Sequence, residues 1–187
     1  MTLSRLLRPN WGRYLQADML TAAADGVTSA LRQTMANVAA SVAVVTAEVD
    51  GVAVGVTISS LISLSLEPPL ILFALKRSSS MLVHLERRCF ALTVLGAHQQ
   101  VIAAALAVPG RPPVPTHWLT TLAGHPVPVI RDGAAWMVAR FEGACPAGDH
   151  VVVVGHVLQA ASGKTAPLIY YRRSYRAVAG QHFSLDR

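Results

Sequence analysis

Three short segments of this chain gather residue types that handle phosphate groups and planar rings. The first is Gly55-Val56-Thr57-Ile58-Ser59-Ser60-Leu61-Ile62-Ser63. A strand ends here and a hydroxyl-rich loop begins. Backbone N–H groups and hydroxyl donors at such close range suit phosphate oxygens and the polar rim of a planar ring. They suit equally a polar loop whose serines bond their own backbone. The second segment is Lys76-Arg77-Ser78-Ser79-Ser80, between an apolar run and a short helical pattern. Its serines can cap that helix, whose free N–H groups favour an anion, and Lys76 and Arg77 add full charges. The alternative is a solvated turn with an ordinary cap. The third is Gly148-Asp149-His150, which opens the apolar run 151–154. A histidine that opens a strand can face a bound ring, or can be structural. His156 follows six residues later and shares a strand face with His150. No third ligand has suitable spacing, so no metal is expected.

A fourth segment, residues 167–176, reads Pro-Leu-Ile-Tyr-Tyr-Arg-Arg-Ser-Tyr-Arg. This is a hairpin pattern with aromatic and basic side chains. It could shape a nucleotide pocket by stacking and cation–π contact, or form a subunit edge. The chain has no Gly-x-Ser-x-Gly elbow, Walker loop, His-Glu-x-x-His helix or Gly-x-Gly-x-x-Gly fingerprint.

The elements that must position these residues are mainly strands. Residues 41–49 are β-branched and apolar, Asp50-Gly51 signals a hairpin, and residues 52–58 form the return strand. A serine-rich link over 59–65 leads to Glu67-Pro68-Pro69. Residues 70–75 form a buried strand, and Met81, Leu82 and Leu85 suggest a short helix. Residues 90–95 form a strand, and 99–107 are Ala-rich and helical. Residues 109–117 hold four prolines and exclude regular structure. Strands follow over 134–145, 151–160 and 168–171. Upstream, Thr28 is the expected N-cap of a helix carrying Leu31, Met35 and Val38. Residues 1–24 read as an extension and 25–187 as one domain. Strands and helices do not alternate regularly, which argues against a doubly wound parallel sheet. A mostly antiparallel barrel with peripheral short helices is expected.

Composition sets the outer limits. The chain has 187 residues, enough for one domain with a proper core. Hydrophobic residues make up 52% and charged residues 14%, too apolar for a disordered chain. So apolar a composition predicts a homo-oligomer. The formal charge of +6 would suit nucleic acid, anionic lipid or small phosphorylated ligands. The basic residues are scattered, apart from Arg87-Arg88 and Arg172-Arg173, and no nucleic-acid module appears, so no nucleic-acid partner is expected. No stretch supplies the roughly 20 apolar residues of a membrane helix. Arg5, Arg8 and Arg13 break up any apolar run near the start, so no secretory signal is expected. Cys89 and Cys145 have no metal-ligand spacing and make no disulfide framework. Cys89, at the start of a strand, reads as a buried structural thiol. A reducing cytoplasm is the expected setting.

The order of motifs resembles the flavin reductase-like domain, the reductase component of two-component flavin monooxygenases. The resemblance is carried by 31–46, the Gly-Val-Thr-Ile-Ser-Ser-Leu-Ile-Ser-Leu-Ser-Leu-Glu-Pro-Pro-Leu run at 55–70, and the Lys-Arg-Ser-Ser run at 76–79. It continues through 90–95, Ala147-Gly148-Asp149-His150 and 167–176. It implies a split β-barrel, a homodimer, and FMN or FAD at the subunit interface. It implies that Thr57, Ile58, Ser59 and Ser60 line the flavin and its ribityl-phosphate, and that Ser63 and Leu64 meet the ring. Lys76, Arg77, Ser78 and Ser79 would hold the phosphate side, and His150 would sit by the nicotinamide of NADH or NADPH. Reduced flavin would pass to a separate flavin-dependent monooxygenase. The rivals are a non-catalytic flavin- or haem-binding protein on the same barrel and an oxidase that keeps its flavin. The chain departs from the family pattern at Ala39-Ala40-Ser41, at Thr93 and over the proline-rich 109–117.

Overall fold

The computed structural model describes residues 24–86, 89–122 and 124–178. It divides into two units, residues 1–38 and 39–187.

The described part of the first unit is one helix, α1 (Ala24–Met35). Val27, Leu31 and Met35 fall on one stripe at i, i+4 and i+8. The helix closes with 3-10-type bonds from the Asn37 N–H to the Thr34 carbonyl (3.0 Å) and from the Val38 N–H to the Met35 carbonyl (3.1 Å). Thr28 is not its N-cap. The helix begins four residues earlier, so Thr28 lies inside it. Hydroxyl residues favour caps but are tolerated in helix interiors, and the apolar stripe already includes Val27. The expected extension over 1–24 falls outside the described residues except for its last one.

The second unit is built on strands β1 (Ala40–Ser41), β2 (Ala43–Val49), β3 (Val52–Ile58), β4 (Ile62–Leu66), β5 (Pro69–Lys76) and β6 (Cys89–Val94). Strands β7 (Leu119–Leu122), β8 (His125–Ile130), β9 (Ala135–Ala147), β10 (His150–Ser162), β11 (Leu168–Tyr171) and β12 (Ser174–Ala177) follow. Two short helices, α2 (Met81–Leu85) and α3 (Gln100–Ala105), lie between strands. Seven strands form one sheet in the order β3-β2-β6-β9-β10-β5-β4, and every pairing in it is antiparallel. A three-stranded sheet β1-β11-β12 and a ribbon β7-β8 complete the set. The expected mainly antiparallel barrel with peripheral helices is what the chain forms.

Strand β2 shows why the barrel is stable. Its first five residues are all buried, so both faces are covered. Ala43, Val45 and Ala47 face a core with Phe73, Leu85 and Phe90. Val44 faces a second cluster with Ile102, Leu106 and Val114, which α3 and the proline-rich segment lay over the sheet. The Asp50-Gly51 turn takes φ of 50° and 77°, the left-handed pair that a two-residue hairpin requires.

Two stretches differ from the sequence reading. The serine-rich link is largely a strand: β4 pairs with β5 and carries a bulge between Ser63 and Ser65. Its serines alternate in sequence with Ile62, Leu64 and Leu66, and the bulge at Leu64 interrupts the alternation of faces. The β7–β8 ribbon was not foreseen. Pro126 and Pro128 hide it, since proline is confined to strand edges, and this ribbon has only two strands.

Candidate functional site

Strand β3 is an edge of the main sheet, and its free side faces the stretch from the end of α3 into the proline-rich segment. Three bonds stitch the two together. The Thr57 N–H donates to the Leu106 carbonyl (3.0 Å), and the Val114 N–H donates to the Ala53 carbonyl (2.8 Å). Between them, Arg111 Nε donates to the Gly55 carbonyl. Residues 106–114 therefore run as a strap along β3, in place of a strand neighbour. Gly55 permits the approach. A Cβ there would meet Val114 Cγ2 at 2.8 Å and Leu106 Cδ1 at 3.3 Å.

At the end of β3 the chain turns across β5. Ser60 Oγ accepts from the Ala74 N–H (2.9 Å) and donates to the Ala74 carbonyl (3.2 Å). Strand β4 begins only at Ile62, so this hydroxyl supplies the pairing that β5 otherwise lacks at Ala74. Thr57 Oγ1 donates to the Ala103 carbonyl at 2.8 Å. Two of the expected ligand hydroxyls are thus committed to the scaffold.

Beyond β5, the turn at 76–79 is closed by the Ser79 N–H on the Lys76 carbonyl (2.8 Å). Arg77 does not point into it. Its backbone N–H donates to the Asp149 carbonyl (3.0 Å), and its Nη1 reaches the Gly148 carbonyl (3.4 Å). It ties this turn to the β9–β10 hairpin, where Gly148 takes a φ of 62°. His150 opens β10 opposite Lys76 in β5. Its Nδ1 lies 2.8 Å from Asp149 Oδ1. The imidazole, through its hydrogen bond and then its charge, holds the Asp149 carboxyl below the usual carboxylate range. The contact leaves Nε2 as the ring nitrogen not engaged by Asp149.

These segments enclose a cavity of about 420 Å³, within the range of small-molecule sites. Residues 56–60, 74–76, 78–80, 107–111 and His150 line it. Among the sequence-predicted residues it brings together Thr57, Ile58, Ser59, Ser60, Lys76, Ser78, Ser79 and His150. Arg77, Ser63 and Leu64 are not in its wall: Arg77 is turned to the hairpin, and Ser63 and Leu64 stand on the exposed edge strand β4. Ser80 occupies the N-cap position of α2 but with helical dihedrals and no side-chain cap bond, so the expected serine cap is not formed. Helix α2 has only five residues.

The wall suits a phosphorylated ligand. It contains Lys76 and Arg111 and no carboxylate. Ser79 Oγ is buried without a hydrogen-bond partner, an arrangement that a bound acceptor would satisfy. Sequence reasoning missed Arg111 and the strap. One signal was present: Arg111 is the only formally charged residue between Arg88 and Arg131.

The remaining candidates lie elsewhere. His156 shares the outer face of β10 with His150, but its Nδ1 faces Glu142 Oε2 at 3.9 Å. Among the described residues no group of three His, Cys, Asp or Glu is placed to hold a metal ion. The 167–176 segment forms the expected β11–β12 hairpin, with Arg172 over the Tyr171 ring at 5.3 Å, and does not line the cavity. Cys89 and Cys145 are free and half-buried. No described helix is long and apolar enough to cross a membrane.

Comparison with known proteins agrees with the geometry. The family model of the flavin reductase-like domain matches residues 35–179. The chain is 38% identical over 130 residues to the FMN reductase (NADH) SmoA of Agrobacterium fabrum, covering 69% of this chain and 74% of that protein. It is 31% identical over 149 residues to the reductase component of 4-hydroxyphenylacetate 3-monooxygenase from Thermus thermophilus, covering 79% and 94%. Its fold is similar to the crystal structure of BorF, the flavin reductase component of a bacterial two-component tryptophan halogenase. That match has a TM-score of 0.75 and 31% identity over 82% of this chain and 99% of BorF. The barrel, the cavity and these relatives converge: the chain belongs to the family of flavin reductase-like domains.

Proposed function

We propose that this chain is an NAD(P)H-dependent flavin reductase that moves hydride from NADH to FMN or FAD and supplies reduced flavin to a separate flavin-dependent monooxygenase. The observation that carries this reading is the cavity. It is cationic, free of carboxylates, and bounded by one buried, unpartnered hydroxyl and by His150. The names of the relatives, NADH-dependent flavin reductases and reductase components, favour an enzyme over a non-catalytic flavin- or haem-binding barrel.

The cofactors supply the redox chemistry when bound: hydride passes from nicotinamide C4 to flavin N5. The chain has to bind, orient and shield. Thr57, Ile58, Ser59 and Ser60 line the flavin, the first and last chiefly through backbone and packing. Lys76, Ser78 and Ser79 hold the phosphate side, and Arg77 acts by anchoring their turn. His150 meets the nicotinamide, with Asp149 fixing its ring. Such a site must bring the reacting atoms to about 3–3.5 Å and needs no strong acid or base.

A homodimer completes the reading. Edge strand β4 exposes Ile62, Leu64 and Leu66, three apolar side chains that a soluble monomer would need to cover. Flavin running over that edge would meet Ser63 and Leu64 at the interface. Two free thiols fit a cytoplasmic setting. The test is twofold. Light scattering at micromolar concentration should give a dimer, and steady-state assays should show NADH oxidation that depends on added FMN or FAD. A monomer that retains full activity removes the dimer, and no NADH or NADPH consumption with any flavin removes the enzyme.

A further inference from the structure

Arg111 is unusually placed for a surface arginine. It lies mid-strap, bracketed by Pro109, Pro112 and Pro113, and it is half-buried. Its Nε is spent on the Gly55 carbonyl, and among the described residues no carboxylate lies within ion-pair distance of it. Burial pulls its pKa down, and the guanidinium stays charged. The Nε bond fixes the guanidinium plane and leaves its terminal nitrogens as free donors. A fixed fork of donors matches a phosphate group.

The surroundings favour one source of phosphate. Arg111 and Ser80 together line both the main cavity and an adjoining one of about 230 Å³. His150 lines only the main cavity and sits opposite Lys76, at the other end of the serine turn. Arg111 therefore stands beside Ser80 and His150 beside Lys76, with the phosphate-side turn between them.

We propose that Arg111 reads the flavin phosphate: held by Gly55 at the serine end of the cavity, its guanidinium binds the phosphate of FMN, or the first phosphate of FAD, and makes the chain prefer phosphorylated flavins to riboflavin. The inference rests on the flavin-site reading above and adds the residue that sets its selectivity. The strap works because prolines limit its freedom while Leu106, Arg111 and Val114 pin it to β3.

The test compares equilibrium binding of FMN and riboflavin, by flavin fluorescence quenching, to wild type, Arg111→Gln and Arg111→Lys. Circular dichroism and melting check folding, and Arg111→Lys keeps the charge should Arg111→Gln fold poorly. Wild type should bind FMN more tightly than riboflavin. Arg111→Gln should weaken FMN by about tenfold or more, with riboflavin unchanged, and Arg111→Lys should lose less. Parallel losses for FMN and riboflavin would make Arg111 a packing residue and overturn the proposal. So would a loss confined to the KM for NADH, which would give Arg111 to the dinucleotide. Equal wild-type affinity for FMN and riboflavin would also overturn it. Wild type that binds neither flavin would defeat the site reading itself, a distinct outcome.

Discussion

Replacing Ser60 with alanine removes a hydroxyl that stands in for a strand. Ser60 Oγ accepts from the Ala74 N–H at 2.9 Å and donates to its carbonyl at 3.2 Å. Both backbone groups lose their partner in Ser60→Ala. Each such bond contributes about 0.5–1.5 kcal/mol net. The site is half-buried and opens on the cavity, where water can repair part of the loss. A destabilisation of about 1–2 kcal/mol follows, or about 2–8 °C in Tm for a domain of this size. Urea unfolding and thermal melts at fixed protein concentration read it directly. Ser59 is the control: it lines the cavity, is exposed and makes no scaffold bond. Ser59→Ala should leave stability within about 0.5 kcal/mol of wild type and weaken FMN binding. Ser60→Ala should do the reverse, melting early while the folded protein keeps its FMN affinity. A Ser60→Ala protein that melts like wild type yet loses FMN would show that the hydroxyl serves the ligand, and the scaffold argument would be wrong.

Gly55→Ala should cost about 1–3 kcal/mol of stability and weaken flavin binding, because its Cβ would press Val114 and Leu106 and lift the strap; melts and FMN affinity equal to wild type would refute the close approach. His150→Ala should raise the KM for NADH, and lower kcat as well if the ring positions the nicotinamide, with flavin affinity preserved. Wild-type kinetics would make His150 structural. The same variant tests Asp149, whose depressed pKa stabilises the fold fully above about pH 3.9 and loses that contribution as pH falls toward the lower folded value. Carbon-13 NMR should find Asp149 titrating below the ordinary range in wild type and within it in His150→Ala, and identical titrations would dissolve the pair.

Much of the barrel could be read locally. The hairpin at Asp50-Gly51, the buried run in β5 and the Gly148-Asp149 turn each carry their geometry in adjacent residues. The site was legible as text but not as partners. Ser59 and Ser60 are neighbours of one type, yet one faces the cavity and the other closes onto Ala74, fourteen residues away. Arg77 reads as a better phosphate ligand than Arg111, yet the hairpin at 148–149 captures it. Arg111 reads as a charge in a structureless stretch, and only the unpaired edge of β3 gives it a place. Such choices depend on which strand edges remain open once the sheet has formed, and no short window of sequence contains that. The β4 and β7–β8 strands were obscured for a simpler reason: the serines of β4 read as loop formers and the prolines of β8 as strand breakers.

We propose that this cavity hosts hydride transfer from nicotinamide to flavin. Anaerobic stopped-flow mixing of the FMN-loaded protein with NADH tests it most directly. Bleaching of the flavin band is expected at a rate that saturates with NADH, slows when C4 of the transferred face carries deuterium, and saturates at higher NADH in His150→Ala. Flavin that binds in the cavity but is not bleached by NADH or NADPH would contradict it.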